Sequence, residues 1–173
     1  MKRYSNIEFP PYAFVPGRNP HPRSHPEGHL YNKQDSKPDR VDDKLFLDSQ
    51  EYLYGIDLFN YGYYWEAHEV WESLWNAHNR EGNTANFLKA LIRLSASGVK
   101  VKQGQEKGIN DHSLAASDIF KNILYSTNND LFLGLSLSDL IDFIKHNIDS
   151  LKSGEFNNKI HDQIVFNSFI TIK

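Results

Sequence analysis

The stretch WEAHEVWESLW, residues 65–75, combines a helical apolar pattern with a dense group of polar side chains. Its apolar residues, other than the two terminal tryptophans, are Ala67, Val70, Trp71 and Leu74. On a helix, these four residues fall within a sector of about 100°. The pattern therefore predicts an amphipathic helix over about residues 64–78, with this stripe facing a core.

Helical spacing of apolar residues recurs on both sides of this stretch. Ser136 and Asp139 resemble a capping box and precede the last clear helical pattern. Short connections make sequential helices antiparallel, so we expect an all-α fold, a compact helical bundle of about five helices arranged as antiparallel hairpins. The predicted helices cover residues 48–60, 64–78, 85–103, a segment starting between 105 and 111 and ending near 124, and a segment from 137 to about 148.

Proline content divides the chain. All seven prolines lie in residues 1–42, where each removes a backbone donor and disfavours helix at the residue before it. This predicts an extended Pro/His-rich arm over 1–42 and a helical-bundle domain over 43–150. Residues 151–173 are rich in β-branched residues but lack an evident partner strand, so we expect an extended tail packed on the helices.

Composition excludes several classes of function. The 19 basic and 22 acidic residues are mixed along the chain, which argues against a nucleic-acid partner. No apolar run approaches the roughly 20 residues of a membrane span, and the first 30 residues lack a signal-peptide core, so we expect a cytoplasmic protein without a membrane partner. Cysteine is absent, so any metal needs histidine and carboxylate ligands.

A candidate metal and catalytic site lies on the second predicted helix. His68 and Glu72 are four residues apart, so their Cβ atoms lie about 6 Å apart on adjacent turns. His112, on the apolar stripe of the fourth predicted helix, would complete a set of two imidazoles and one carboxylate if it faces His68. Such a set can bind a divalent ion such as zinc and leave open positions. The familiar HExxH and ExxH helical metal motifs are absent.

Two interpretations of this helix remain open. Trp65 and Trp75 cannot both join the core stripe, so the arm, the tail or a second subunit would have to cover them. A covered pocket would make His68 a metal ligand or general base, Glu72 a ligand or orienting carboxylate, and Glu69 a further acid, acting in hydrolysis or binding of a small ligand. Trp65, Trp75 and Glu66 would be further binding residues.

In the non-functional interpretation, Glu66, Glu69 and Glu72 form a solvated acidic face near a helix N-terminus. A functional alternative is a non-catalytic module for a protein partner or homo-oligomer, with tryptophans 65 and 75 and Tyr64 as contact residues. Its first hairpin resembles one tetratricopeptide unit. In the arm, Arg18 and His21 would hold the chain against the acidic face, while the series His21, His25 and His29 suggests either a zinc-binding arm or a surface-hugging polyproline segment.

The stretch LFNYGYYWEAHEVWESLWNA (58–77), then FLKALIRLSASGVKVKQG (87–104) and a helix bearing His112, resembles the uncharacterised family known as domain of unknown function 309. The arm segment PPYAFVPGRNPHPRSHPEGH (10–29) is similar to an N-terminal extension in a subset of that family. The resemblance covers about residues 10–125. It implies an all-helical fold and no established reaction. The family's characteristic residues on the second helix correspond here to Glu66, His68, Glu69, Glu72 and Trp75.

Overall fold

The chain folds into consecutive helices joined by short turns. A computed structural model describes residues 2–34, 37–151 and 156–173. The all-α bundle expected from the sequence is confirmed, with a 3-10 turn at Phe46–Asp48 before the first helix. The helices are α1 Gln50–Asn60, α2 Tyr64–Ala77, α3 Gly82–Gln103, α4 Glu106–Thr127, α5 Leu137–Ser150 and α6 Phe156–Lys159. None of the helices in this described part has an apolar stretch long enough to cross a bilayer.

Each of the helices α1 to α4 packs against the next helix in the chain, so the last of these contacts joins α4 to α5. The long α3 lies between α2 and α4 and buries residues around much of its circumference, as its wide apolar arc predicts. The largest fully buried side chains include Trp71 of α2, Tyr52 and Phe59 of α1, and Phe87 of α3. Aromatic rings of the first three helices are therefore among the largest side chains of the core.

Serine side chains cap two helices, and one of them, Ser136, matches the predicted capping box. The Ser49 hydroxyl accepts a hydrogen bond from the Tyr52 N–H at 3.3 Å, and the Ser136 hydroxyl accepts from the Asp139 N–H at 3.1 Å. Just before the second cap, strands β1 Leu131–Phe132 and β2 Leu135–Ser136 form an antiparallel hairpin. This hairpin was not predicted, because strands of two residues are too short to show a period.

Polar side chains of the first helical hairpin hold both ends of the chain. The buried Asp57 carboxylate accepts the N–H groups of Tyr4 and Ser5, at 2.9 and 2.8 Å. At the other end, the Asn60 side chain exchanges two hydrogen bonds with the backbone of Ile170. The tail packs on the helices with Val165, Phe166 and Ile170 buried, although residues 156–159 form a helical turn that was not predicted.

A close approach of α2 to α3 occurs at the small run Ser95 to Gly98. A methyl group added at Gly98 would lie 2.6 Å from Cγ of Tyr64, so no larger residue fits without moving that ring.

We predict that Gly98→Ala destabilises the protein by about 1–3 kcal/mol, because the added carbon overpacks the contact with the buried Tyr64 ring. Gly108→Ala is the matched control: its nearest neighbour is the flexible Lys100 side chain, so the higher helix propensity of alanine should leave stability unchanged or raise it by up to about 1 kcal/mol. Urea unfolding of both variants measures the difference. Equal stabilities would contradict the packing argument.

Candidate functional site

The N-terminal arm covers one of the two flanking tryptophans. The Trp65 ring contacts the rings of Phe14 and His21 edge to face, with centroids 5.1 and 5.7 Å apart. Trp75 lies on a different part of α2, where the Arg80 guanidinium stacks 4.6 Å from its ring centre. The arm therefore covers Trp65, as one of the possibilities raised by the sequence, and the Arg80 side chain covers Trp75.

A cavity of about 380 Å³ lies between the arm and the first two helices. We call it the arm cavity. Helix α2 contributes polar as well as apolar side chains to it, and residues of the arm form another part of its wall. Its lining includes Tyr54, Trp65, Glu66, Glu69, Val70 and His29.

Glu66 is the most unusual group in this lining. Its side chain is only 5% exposed, and its Oε1 accepts the Phe14 N–H at 2.8 Å. Burial raises the pKa of Glu66 to about 7, an effect that the hydrogen bond from Phe14 only partly offsets. The interpretation of Glu66 as part of a solvated acidic face is therefore wrong.

His29 of the arm lies beside Glu66, with its Nε2 3.6 Å from Glu66 Oε1. Burial lowers the pKa of His29, and the nearby cations Lys33 and Arg23 lower it further. Among the described residues, no group hydrogen-bonds to Glu66 Oε2 or to His29 Nε2. The pair therefore combines two desolvated titratable groups with unused hydrogen-bonding capacity.

A second cluster lies one turn further along α2. His68, Glu69 and Glu72 each offer a ligand atom, and these atoms lie within 4.8 Å of one another. His68 Nε2 is 3.9 Å from Glu72 Oε2, and both side chains are partly exposed. We call these three residues the His68 triad. Glu72 lies four residues after His68 and three after Glu69, and these two helical spacings bring both side chains close to it.

Glu69 connects the two features. Its carboxylate accepts a hydrogen bond from Arg23 Nε at 3.2 Å, and it lines the arm cavity while also belonging to the His68 triad. Arg23 and the Phe14 N–H thus hydrogen-bond the arm to polar residues of α2, and His29 lies beside Glu66. The expected pairing of Arg18 with the acidic face is wrong, because Arg18 donates to the Ile160 carbonyl in the tail.

His112 lies beside α3. Its Nδ1 is 3.3 Å from the Arg93 guanidinium. Burial and the charges of Arg93 and Lys100 lower the pKa of His112, and His68 lowers it to a smaller extent. The predicted ligand set was His68, Glu72 and His112, whereas the three residues that lie close together are His68, Glu69 and Glu72. His112 therefore stays a predicted ligand.

The arm histidines do not converge. His21 packs on Trp65, His29 faces Glu66, and His25 Nδ1 accepts the Glu27 N–H. Within the described residues, the one group with metal-like spacing is the His68 triad. The sequence missed Arg23 and His29 as partners of α2, since a proline-rich segment has no period that says which side chains face inward.

Comparison with known families places the triad in a recognised segment. Residues 52–111 match the family model described as Domain of unknown function (DUF309). The resemblance noted in the sequence is confirmed over these residues, which include most of α1, all of α2 and α3, the triad, and the position just before His112. The arm with Arg23 and His29 lies outside the DUF309 match. No curated protein and no solved structure matches the chain.

We predict that Glu66 makes stability depend on pH. Because its pKa in the fold is raised from 4.5 to about 7, its stabilising contribution is complete below pH 4.5 and is lost as pH rises towards 7. Relative to Glu66→Gln, the wild type should lose about 3 kcal/mol across this range.

Thermal unfolding at closely spaced pH values measures this difference between wild type and variant. Glu81→Gln, which removes an exposed carboxylate just before α3, is the control and should follow the wild-type curve. Parallel curves for wild type and Glu66→Gln would show that the Glu66 carboxylate titrates alike in the folded and unfolded chains.

Proposed function

We propose that the protein binds a divalent metal ion at the His68 triad, with His112 as a further ligand, and uses it to bind or hydrolyse a small molecule. The observation that carries this proposal is the convergence of one imidazole and two carboxylates, with ligand atoms within 4.8 Å of one another. Histidine nitrogen and carboxylate oxygen together suit zinc, manganese or iron.

The distances suit a single ion after small side-chain adjustments. Ligands held at about 2 Å from an ion lie about 3–4 Å from one another. His68 Nε2 and Glu72 Oε2 already lie 3.9 Å apart. Partial exposure of all three side chains leaves room for a ligand or water in the remaining positions. A bound ion would supply a Lewis acid for hydrolysis.

Neighbouring residues support the same site. Arg23 hydrogen-bonds to Glu69 and so limits the orientations of that carboxylate. On the other side, the burial that lowers the pKa of His112 favours its neutral imidazole, which is the form that binds metals. The chain's own residues would therefore present an oriented Glu69 carboxylate and a neutral His112 imidazole.

The interaction-module alternative is less well supported. Of its three contact residues, Tyr64 is buried in the core and its hydroxyl accepts the Val165 N–H, and Trp65 packs against the arm. Trp75 carries a stacked Arg80. Because two of the three aromatic rings are already occupied within the chain, the observations favour the metal site.

Metal analysis tests the proposal. Untagged protein incubated with Zn²⁺ or Mn²⁺ and then desalted should retain about one ion per chain, the number that a single three- or four-ligand site holds. His68→Ala should lose the ion, and Glu72→Gln should bind at least about tenfold more weakly. His146→Ala, which removes an exposed histidine on α5, is the matched control and should retain it.

His112→Ala then decides the fourth ligand. A loss of about tenfold or more in affinity is expected if His112 binds the ion directly. Retention of no ion by the wild type, or equal retention by His68→Ala, would overturn the metal-site proposal.

A further inference from the structure

The arm cavity has the size of a small-molecule site. Its volume of about 380 Å³ falls within the range of about 300–1,000 Å³ that ligand pockets occupy. One part of its wall is apolar, formed by Leu58, Trp65, Val70 and Leu30. A ligand with an apolar body of a few carbon atoms would pack there.

The polar part of the cavity wall includes buried side chains. The side chains of Glu66 and His29 are only 5% and 8% exposed, and both line the cavity. Within the described residues, Glu66 Oε2 has no hydrogen-bond donor. Buried polar groups are normally satisfied, so a buried carboxylate oxygen without a donor, on a residue that lines a cavity, favours a ligand that can donate to it.

The charged side chains that line the cavity favour one sign of charge on the ligand. Three carboxylates line the cavity, against two cations, and one of these cations, Arg23, hydrogen-bonds to Glu69. The other cation, Lys33, is exposed. Aromatic rings of Tyr54 and Trp65 also line the wall, and aromatic faces attract cations. A positively charged hydrogen-bond donor therefore fits this wall better than an anion does.

We propose that the arm cavity binds a small organic cation, a primary amine with an apolar body. Its ammonium group donates to Glu66 Oε2, and its body packs on Trp65 and Val70. Charge-assisted hydrogen bonds to a buried carboxylate are about twice as strong as neutral ones, so the head group dominates recognition. Glu69 lines this cavity and also belongs to the His68 triad. The ammonium contact is assigned to Glu66, so the proposal does not rest on metal binding.

Three probes of similar shape separate charge from shape: benzylamine, benzyl alcohol and benzoate. Each is titrated into the full chain at pH 8, in EDTA, so that no metal contributes. The indole N–H resonances of the three tryptophans report binding by NMR, and Trp65→Phe assigns the resonance of the cavity. For probes of this size, the dissociation constant of a fitting ligand should be about 1 mM.

We expect the shift of the Trp65 resonance to give a dissociation constant for benzylamine at least about tenfold lower than that for benzyl alcohol. Benzoate should not shift this resonance. Glu66→Gln keeps the acceptor for the Phe14 N–H, so it should fold and bind benzylamine about tenfold more weakly or worse. Glu81→Gln should bind as the wild type does. Val70→Phe, which fills the cavity, should weaken binding of benzylamine and benzyl alcohol alike.

Several outcomes would overturn the proposal: no benzylamine binding at about 10 mM, equal binding of benzyl alcohol, tighter binding of benzoate, or unchanged binding by Glu66→Gln. The fate of the metal proposal is read separately. Because EDTA is present throughout, amine binding that persists while His68→Ala loses its ion would show two independent sites, and failure of one would leave the other standing.

Discussion

Two buried carboxylates on the first helical hairpin hold the N-terminal arm, and the rest of the site depends on them. Asp57 accepts the N–H groups of Tyr4 and Ser5, and Glu66 accepts that of Phe14. A proline-rich segment has few backbone donors to offer, so these contacts fix its path. Because the arm follows that path, Phe14 covers Trp65, and a partly open cavity remains between the arm and the helices.

Glu66 is costly for stability, which is informative about function. Its burial opposes ionisation, since removal of a carboxylate from water disfavours the charged form. A hydrophobic residue could fill the same position without that cost, although it could not bind the Phe14 N–H. Local departures of this kind from the rules of stable packing are concentrated at functional positions in natural proteins. The neighbouring His29 is a second such departure, contributed by the arm.

The polar residues of α2 divide between two environments because of helix geometry. Glu66 faces inward under the arm, while His68 and Glu72 lie on a partly exposed flank one turn away. Glu69 lies between them and contacts Arg23 of the arm. Any movement of the arm that displaces Arg23 would therefore change the surroundings of Glu69, so the cavity and the His68 triad share one structural element although they are chemically distinct.

The sequence by itself determined the bundle, the helices and the convergence of His68 with Glu72, because helical periodicity and i, i+4 neighbours are local properties of the chain. It also indicated that Trp65 needed a cover. Only the tertiary structure decided that the arm is this cover, that Glu66 is buried rather than solvated, and that Arg23 and His29 are the contacts. These are pairings between residues 37 to 51 positions apart, across a segment without a period, so no local pattern could specify them.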